Sequence, residues 1–344
     1  MHGWRNALNI AAQDCAAHKR LKIFFAGFLS DVPPETALRE SPLPVRMERK
    51  GDYWAGRVSA SQGHRSAPIE FGIFGSDAKA WALFSLTETN WAEMELLRLL
   101  RSLSPTFSPA FLSSRDIRGL FQRIEDEEGA EVSINKAVAY SYRREGQISF
   151  KKEIYHDVFN RAEHEGMFVD KVDFSVESHE PGFLHAFVAR NGTAKFIGGS
   201  LELFLARILS GVMNTSARKH EVFQQAARRP GELAVSAVDL DFGRTIFRAR
   251  TDSLRFLSSL DGMSRSGIAV MHQNPYLHVA LVDFYDGSSF DIFATTPTAI
   301  SIIPQAGASG FSLNRLCNHI FENFREGTIR RPEPRKWELT DVLS

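Results

Sequence analysis

The apolar residues of this chain fall into two alternating spacings, period two in short runs and three-to-four in longer ones. FLHAFVARNGTAKFIGG (Phe183 to Gly199) reads as two half-buried strands around Asn191-Gly192, a pair that tolerates the positive φ of a tight primed turn. SLELFLARILSGV follows as a helix with Leu201, Leu205, Ile208 and Val212 on one face. Near the C-terminus, YLHVALVDFYDGSSFDIFATT repeats the hairpin with its turn at Asp286-Gly287. A loop from Pro304 to Gly310 leads to FSLNRLCNHIFENFREG, a helix capped by Ser312 and stopped at Gly327, with Leu313, Leu316, Cys317, Ile320 and Phe324 on one face. In the N-terminal third, IEFGIFGSDAKAWALFSL turns at Gly75-Ser76-Asp77 and precedes the helix WAEMELLRLLRSL, capped by Asn90 with Glu93 three residues on. Met1 to Arg20 predicts a short amphipathic helix with Leu8, Ala11, Ala12 and Cys15 on one side.

The pattern extends upstream of the second and third hairpins. AVAYSYRREGQISFKKEIYHDVFNRAEHEG predicts two strands around Glu145-Gly146 and a helix closed by Gly166. AVDLDFGRTIFRARTDSLRFLSSLDG predicts two strands around Phe242-Gly243 and a helix closed by Gly262. KVDFSVES and GIAVMHQN each add one more strand. A Leu-His pair then falls at the same place in both, Leu184-His185 and Leu277-His278. The expectation is an α+β protein with mainly antiparallel sheets, in which the order β-β-α-β-β-β-α occurs twice by internal duplication. SPTFSPAFLSS (Ser104 to Ser114), with two prolines, reads as a linker, and Pro230-Gly231 as a second boundary after the polar helix TSARKHEVFQQAARR. The expected modules are therefore 1–108, 109–230 and 231–344.

Composition narrows the function classes. Hydrophobic residues make up 43% and charged residues 24%, enough for a sizeable core. The 41 basic and 41 acidic residues balance, which argues against wrapping duplex DNA by bulk charge but leaves room for a local basic groove. Two cysteines, Cys15 and Cys317, point to a reducing compartment, the cytoplasm, and the absence of a CxxC pair argues against a cysteine-based zinc site. No apolar run near the N-terminus is long enough for a signal peptide. The longest uncharged stretch, Ile292 to Asn314, is broken by Pro297 and Pro304 and reads as a strand and a flexible loop rather than a membrane span.

Candidate chemistry is sparse. Asp239 and Asp241 form a D-x-D on one strand face, a pattern that holds Mg²⁺ in phosphoryl-transfer enzymes and also marks ordinary solvated faces. Asp283, Asp286 and Asp291 surround the last hairpin and read as turn acids. No histidine shows a metal-ligand spacing, and neither a nucleophile elbow, a Walker A loop nor a dinucleotide fingerprint is present. No cofactor or metal is expected. Basic clusters are the clearest remaining signal: Arg143, Arg144, Lys151 and Lys152 at one hairpin, Arg218, Lys219, Arg228 and Arg229 on the linker helix. Arg244, Arg248, Arg250 and Arg255 mark the last unit, and Arg330, Arg331, Arg335 and Lys336 the tail. Basic hairpins side by side would line a groove for a phosphate backbone, with Tyr140 and Tyr142 available to stack on bases.

From Tyr140 to Val212 the segments YRREGQISFKKEIYHDVFNRAEHEG, VDFSVES and LHAFVARNGTAKFIGGSLELFLARILSG resemble phage lambda exclusion protein A and related antiphage DNA-binding proteins. That resemblance implies a non-enzymatic protein that binds DNA with little sequence preference and acts with a partner in bacterial defence. The leading expectation is thus a non-catalytic nucleic-acid-binding or complex-forming protein. Its phosphate contacts would be Arg143, Arg144, Lys151, Lys152, Arg218, Lys219, Arg228 and Arg229. One alternative is an interaction subunit or homo-oligomer without nucleic-acid affinity, using the uncharged stretch near Ile292 to Phe311. The other is a metal-dependent nuclease or phosphodiesterase built on Asp239 and Asp241, with Asp283 as a further candidate carboxylate.

Overall fold

In a computed structural model, which describes residues 3–59, 68–75, 79–177, 182–226, 236–273 and 276–331, the chain is α+β with two antiparallel sheets. Two compact units divide it, residues 1–218 and 219–344.

Unit 1 runs α1 (Gly3–Ala17), β1 (Lys22–Leu29), α2 (Pro34–Arg39), β2 (Val45–Lys50), β3 (Tyr53–Val58), β4 (Ile69–Gly75), β5 (Ala80–Thr87), α3 (Asn90–Ser102), β6 (Ser108–Pro109) and α4 (Ser114–Glu128). It continues through β7 (Glu131–Ser141), β8 (Gln147–Ile154), α5 (Tyr155–His164), β9 (Met167–Glu177), β10 (Phe183–Ala189), β11 (Thr193–Gly199) and α6 (Leu201–Leu203). A π-helical stretch, Phe204–Leu209, joins α6 to α7 (Ser210–Ala226). The eleven strands form one sheet in the order β2-β3-β4-β5-β1-β11-β10-β9-β7-β8, with β6 alongside β1.

The alternation in KIFFAGFL explains how this sheet carries helices on both faces. Ile23, Phe25 and Leu29 join a core with α1, α4, α5 and the α6–α7 helix. Phe24, Ala26 and Phe28 join a second core with α2 and α3. Burying both faces of one strand requires a nearly continuous apolar run, and all but the first of its eight residues are buried. The segment expected to be a linker is part of this packing. Phe107 stacks on Phe28 at 4.4 Å, Ser108 and Pro109 pair with β1, and Leu112 N–H donates to the Arg190 carbonyl at 2.7 Å. The strands on either side of residue 108 accordingly share one sheet, β5 and β11 both pairing with β1.

Unit 2 takes up the remainder of α7 and then β12 (Val238–Asp241), α8 (Arg250–Asp261), β13 (Ser266–His272), β14 (Leu277–Asp283), β15 (Ser289–Thr296), β16 (Ala299–Pro304), α9 (Gly310–Asn323) and β17 (Thr328–Arg330). Its sheet has the order β13-β14-β15-β16-β12-β17. The order β-β-α-β-β-β-α does not recur here. Residues 244–249, expected as a second strand, form none, because Ile246 N–H and Phe247 N–H both turn to the Pro297 carbonyl. AISII, expected as loop, is strand β16 with Ile300 and Ile302 buried. In unit 1 β7 lies directly beside β9, the strand that follows the helix, whereas in unit 2 β14, β15 and β16 separate β12 from β13. The helix–strand–strand–strand portion matches in both units; an internal duplication is not shown. In the stretch from Ile292 to Phe311, Ile292, Ile300, Ile302 and Ala308 are buried, while Phe293, Ile303 and Phe311 are half-buried. The boundary at Pro230-Gly231 lies outside the described residues.

Two helix caps also differ from expectation. Thr89, not Asn90, occupies the N-cap of α3 and makes no side-chain cap, while Glu93 reaches Lys195 on β11 at 2.6 Å. Ser309 caps α9, and Ser312 Oγ instead donates to Asp286 at 2.8 Å.

Three glycines in β3 and β4 face aromatic rings across the ladder, Gly56 with Phe71, Gly72 with Phe84 and Gly75 with Trp81. A Cβ on Gly72 would lie 2.2 Å from the Phe84 ring, so the ring occupies the space a side chain would take. We expect Gly72→Val to destabilise unit 1 by about 1–3 kcal/mol, read as a lower urea midpoint; an unchanged midpoint would show that the ring moves aside freely. Burial raises the Cys15 thiol to about 11 and raises fully buried Cys317 as well. Both thiols should therefore stay inert to an aromatic disulfide reagent at pH 8 until the chain is unfolded.

Candidate nucleic-acid interface

Helices cover one face of the unit 1 sheet across β1, β11, β10, β9 and β7. On the opposite face α3 covers β1 and β5, and its Glu93 closes onto Lys195 at 2.6 Å. Beyond that point, over β10, β9, β7 and β8, the outward residues are exposed or half-buried. Glu131, Ser133, Lys136, Lys171, Glu177 and Phe183 are all exposed.

The register brings lysines together on this bare face. Lys151 of β8 stands directly opposite Lys136 of β7, and Lys136 stands opposite Asp173 of β9. Like charges directly opposite on one face destabilise a ladder. Neither Lys136 nor Lys151 has an acidic partner within 4 Å among the described residues. Lys152 follows with φ +54°, which breaks the alternation of β8 and leaves two successive lysines exposed. Lys171, on β9, lies opposite Val138 and is also exposed, with its ammonium 3.8 Å from the buried Asp170 carboxylate. Only Lys151 and Lys152 of this set stood out in the sequence. Lys136 and Lys171 are isolated cations in the chain, and only strand register makes them neighbours.

The turn between β7 and β8 holds the expected arginines in different ways. Arg143 and Arg144 both adopt left-handed backbone, φ +69° and +58°. Arg144 points back into the protein, donating to buried Asp170 at 3.2 Å and lying over the Tyr140 ring at 4.8 Å. Its charge is committed to holding the turn. Arg143 is exposed. Tyr140 and Tyr142 are half-buried, Tyr142 against Phe168 at 5.7 Å, so they serve the turn rather than offer free stacking faces. The exposed ring on this face is Phe183, 50% accessible, with Phe187 half-buried beside it. Arg218 lies on α7, whose Val212 and Met213 pack on the helix-covered side of the sheet, away from these lysines. Lys219 is the first residue of unit 2, and Arg228 and Arg229 fall outside the described residues.

A polar network sits behind the lysines. Asn135 bulges out of β7 against β9, and its Nδ2 donates to Asp173 Oδ1 at 3.0 Å and Ser175 Oγ at 2.9 Å. His185 Nε2 lies 2.8 Å from Asp173 Oδ1. Burial works to raise the Asp173 carboxyl, but hydrogen bonds from His185 and Asn135 and the nearby charges of His185 and Lys22 outweigh it and hold the group below the usual carboxylate range. The matching histidine of unit 2, His278, pairs with Asp291 at 2.7 Å and stacks on Phe293 at 4.2 Å. Both Leu-His pairs thus place a histidine beside an aspartate on the outward face of a strand.

The carboxylates named from sequence are occupied. Asp239 and Asp241 share one face as expected, but Asp239 accepts from Ser301 Oγ at 2.6 Å and Asp241 pairs with Arg330 at 2.9 Å. Asp283 is no surface acid; it is fully buried against Arg315 at 2.5 Å. Asp286 ties the β14–β15 turn to α9 through Ser288, Ser309 and Ser312. Among the described residues no group of three or more His, Cys, Asp or Glu side chains could hold a metal ion. No helix of the described residues is long and apolar enough to cross a membrane. Compared with known protein families and with curated proteins, the chain matches none.

A depressed carboxylate contributes stability above its unfolded pKa and loses it as pH falls through the folded value. Asp173 should make unit 1 less stable as pH drops below about 4. We expect Asp173→Asn to flatten that acid limb while costing about 1.5 kcal/mol near neutrality, measured by chemical unfolding across pH.

Proposed function

We propose that unit 1 is a non-catalytic binding module for a nucleic-acid backbone, held across the bare half of its sheet. The observation that carries this reading is the Lys136–Lys151 juxtaposition, two lysines directly opposite, neither ion-paired within 4 Å among the described residues, with Asp173 across the next ladder engaged by His185 and Asn135. A phosphate between them turns a repulsive pair into an attractive site. Lys152 and Lys171 extend the cationic surface, Arg143 adds charge at its end, and Phe183 offers one exposed ring for a base. Lysines act as point charges rather than as forks matched to base edges, so binding follows the backbone and is tolerant of sequence. Bacterial antiphage defence is the proposed setting, on the strength of the resemblance alone.

Retention of a 30-nucleotide probe in a low-salt gel-shift assay, with affinity falling steeply as salt rises, is the expected result. Lys136→Ala with Lys151→Ala should weaken every sequence alike and reduce the slope of log affinity against log salt by about 2 on duplex DNA. No retention of DNA or RNA at low salt ends the reading.

A second reading, a self-associating interaction subunit, is favoured by the edge of the unit 2 sheet. Three of the four sheet edges are defended: β2 and β8 carry several charges, and β17 has three residues ending in Arg330. The fourth, β13, is SGIAVMH, with no charge and with Val270 and Met271 exposed. Being uncharged, it meets an antiparallel second copy of itself without like-charge repulsion. Val270→Lys should then shift the mass measured by light scattering from dimer to monomer; a wild-type chain that is monomeric at all concentrations removes this alternative.

A further inference from the structure

A second cationic feature lies in unit 2 and is independent of the lysine face. The chain between β12 and α8, residues 242–249, lines a cavity of about 320 Å³ together with the start of α8 and the end of α9. Four arginines, Arg244, Arg248, Arg255 and Arg325, line it together with Phe324, and Asp252 is its one carboxylate.

The local folding explains why these charges converge. Phe242 N–H donates to the Thr298 carbonyl at 3.0 Å, and Ile246 N–H to the Pro297 carbonyl at 2.7 Å, which fastens the segment at both ends. Phe247 then stacks on Phe324 at 5.8 Å, and Phe256 meets the same ring at 5.1 Å. This aromatic cluster makes a firm apolar floor. Asp252 uses its carboxylate on the backbone, accepting from Arg248 N–H at 2.9 Å and Ala249 N–H at 3.1 Å. It therefore caps α8, and these hydrogen bonds, with the nearby charges of Arg255 and Arg248, hold it below the usual carboxylate range. Arg244 and Arg248 have no acidic partner within 4 Å among the described residues.

Holding the Arg244 and Arg248 guanidinium groups at one cavity, with no acid within 4 Å of either among the described residues, costs free energy through mutual repulsion, and an anion offsets it. The donors are arginines, whose planar forks match two phosphate oxygens at once. The cavity is at the small end of the range for ligand sites, large enough for a phosphoryl group and the part of a molecule that carries it. We propose that this pocket binds a terminal phosphoryl group, from a free nucleotide or from the 5′ end of a nucleic-acid strand. Arg244 and Arg248 grip the phosphate, and the Phe324 ring supports the apolar part of what it is attached to.

The test uses the full chain and inorganic pyrophosphate in titration calorimetry, with sulfate-free buffer. Saturable binding is expected, and it should weaken at least about tenfold when Arg244→Gln and Arg248→Gln are combined, the loss of about one charged hydrogen bond or more. Both arginines are exposed, so the unliganded unfolding midpoint of the variant should match the wild type; Arg244→Lys with Arg248→Lys, which keeps charge and loses the fork, should bind at an intermediate level. ADP binding stronger than pyrophosphate would identify a nucleotide as the source. A preference for a 5′-phosphorylated over a 5′-hydroxyl oligonucleotide, lost in the glutamine variant, would identify a strand end. The Lys136→Ala, Lys151→Ala protein should bind pyrophosphate as wild type does, which separates this site from the face on unit 1. Absence of saturable binding, or equal binding by the glutamine variant, overturns the proposal.

Discussion

The architecture of unit 1 depends on one strand being apolar on both faces. In β1 successive residues enter opposite cores, so Phe25 packs against Phe204 at 5.2 Å while Phe28 stacks on Phe107 at 4.4 Å. A strand buried twice must sit in the middle of a sheet, with ladders on both sides, and β1 pairs with β5 and β11. That position joins the N-terminal hairpins to the later ones and makes an eleven-stranded sheet from segments that would otherwise form two. Gly27 and Gly192 let the adjoining turn approach: Gly27 N–H donates to the Gly192 carbonyl at 3.0 Å, and a Cβ on Gly192, already at φ +71°, would meet Ala110 at 2.6 Å.

The consequence is an asymmetry between the two faces. One face has enough helix to cover five strands. The other has α2 and α3 only, and α3 ends its coverage where Glu93 meets Lys195. Strands β10, β9, β7 and β8 must therefore offer water a polar face, which is why their inner positions are Val, Phe and Ala and their outer ones Lys, Ser, Asp and His. The Asp173 network with Asn135, Ser175 and His185 supplies local satisfaction near the centre, while the cations collect toward the β8 edge, where they also deter strand addition.

How much of this could be read from the chain depends on range. Turn chemistry is local, so Asn191-Gly192 and Asp286-Gly287 marked hairpins that the structure contains, with Gly192 and Gly287 at positive φ. Amphipathic helices were equally legible, α1 with Leu8 and Cys15 buried among them. Pairing is not local. Phe242-Gly243 looked like another hairpin turn, but its second arm is diverted by two hydrogen bonds to Pro297, some fifty residues later. The prolines of Ser104 to Ser114 suggested a linker, whereas Phe107, Phe111 and Leu112 are buried. The same limit governs the site: Lys151 and Lys152 were visible as a doublet, and their partners Lys136 and Lys171 emerge only once register is fixed.

Zero net charge conceals how the charges are distributed. On α4 the run Glu125, Asp126, Glu127 and Glu128 lies on the helix-covered side of unit 1, where Arg207 from the π-helical stretch bridges Glu127 and Glu128 and Tyr155 donates to Glu125 at 2.8 Å. The lysines of β7, β8 and β9 lie on the other side. Coulombic attraction for a polyanion is set by the charges within about one screening length, roughly 8 Å at physiological salt, and not by the sum over the chain. On the bare face itself the lysines gather toward β8 while Glu131 and Glu177 stand opposite each other at the far end of β7 and β9, so charge is separated along that face as well as across the sheet. Net charge therefore bears on solubility, and the local separation across the sheet governs what the bare face attracts.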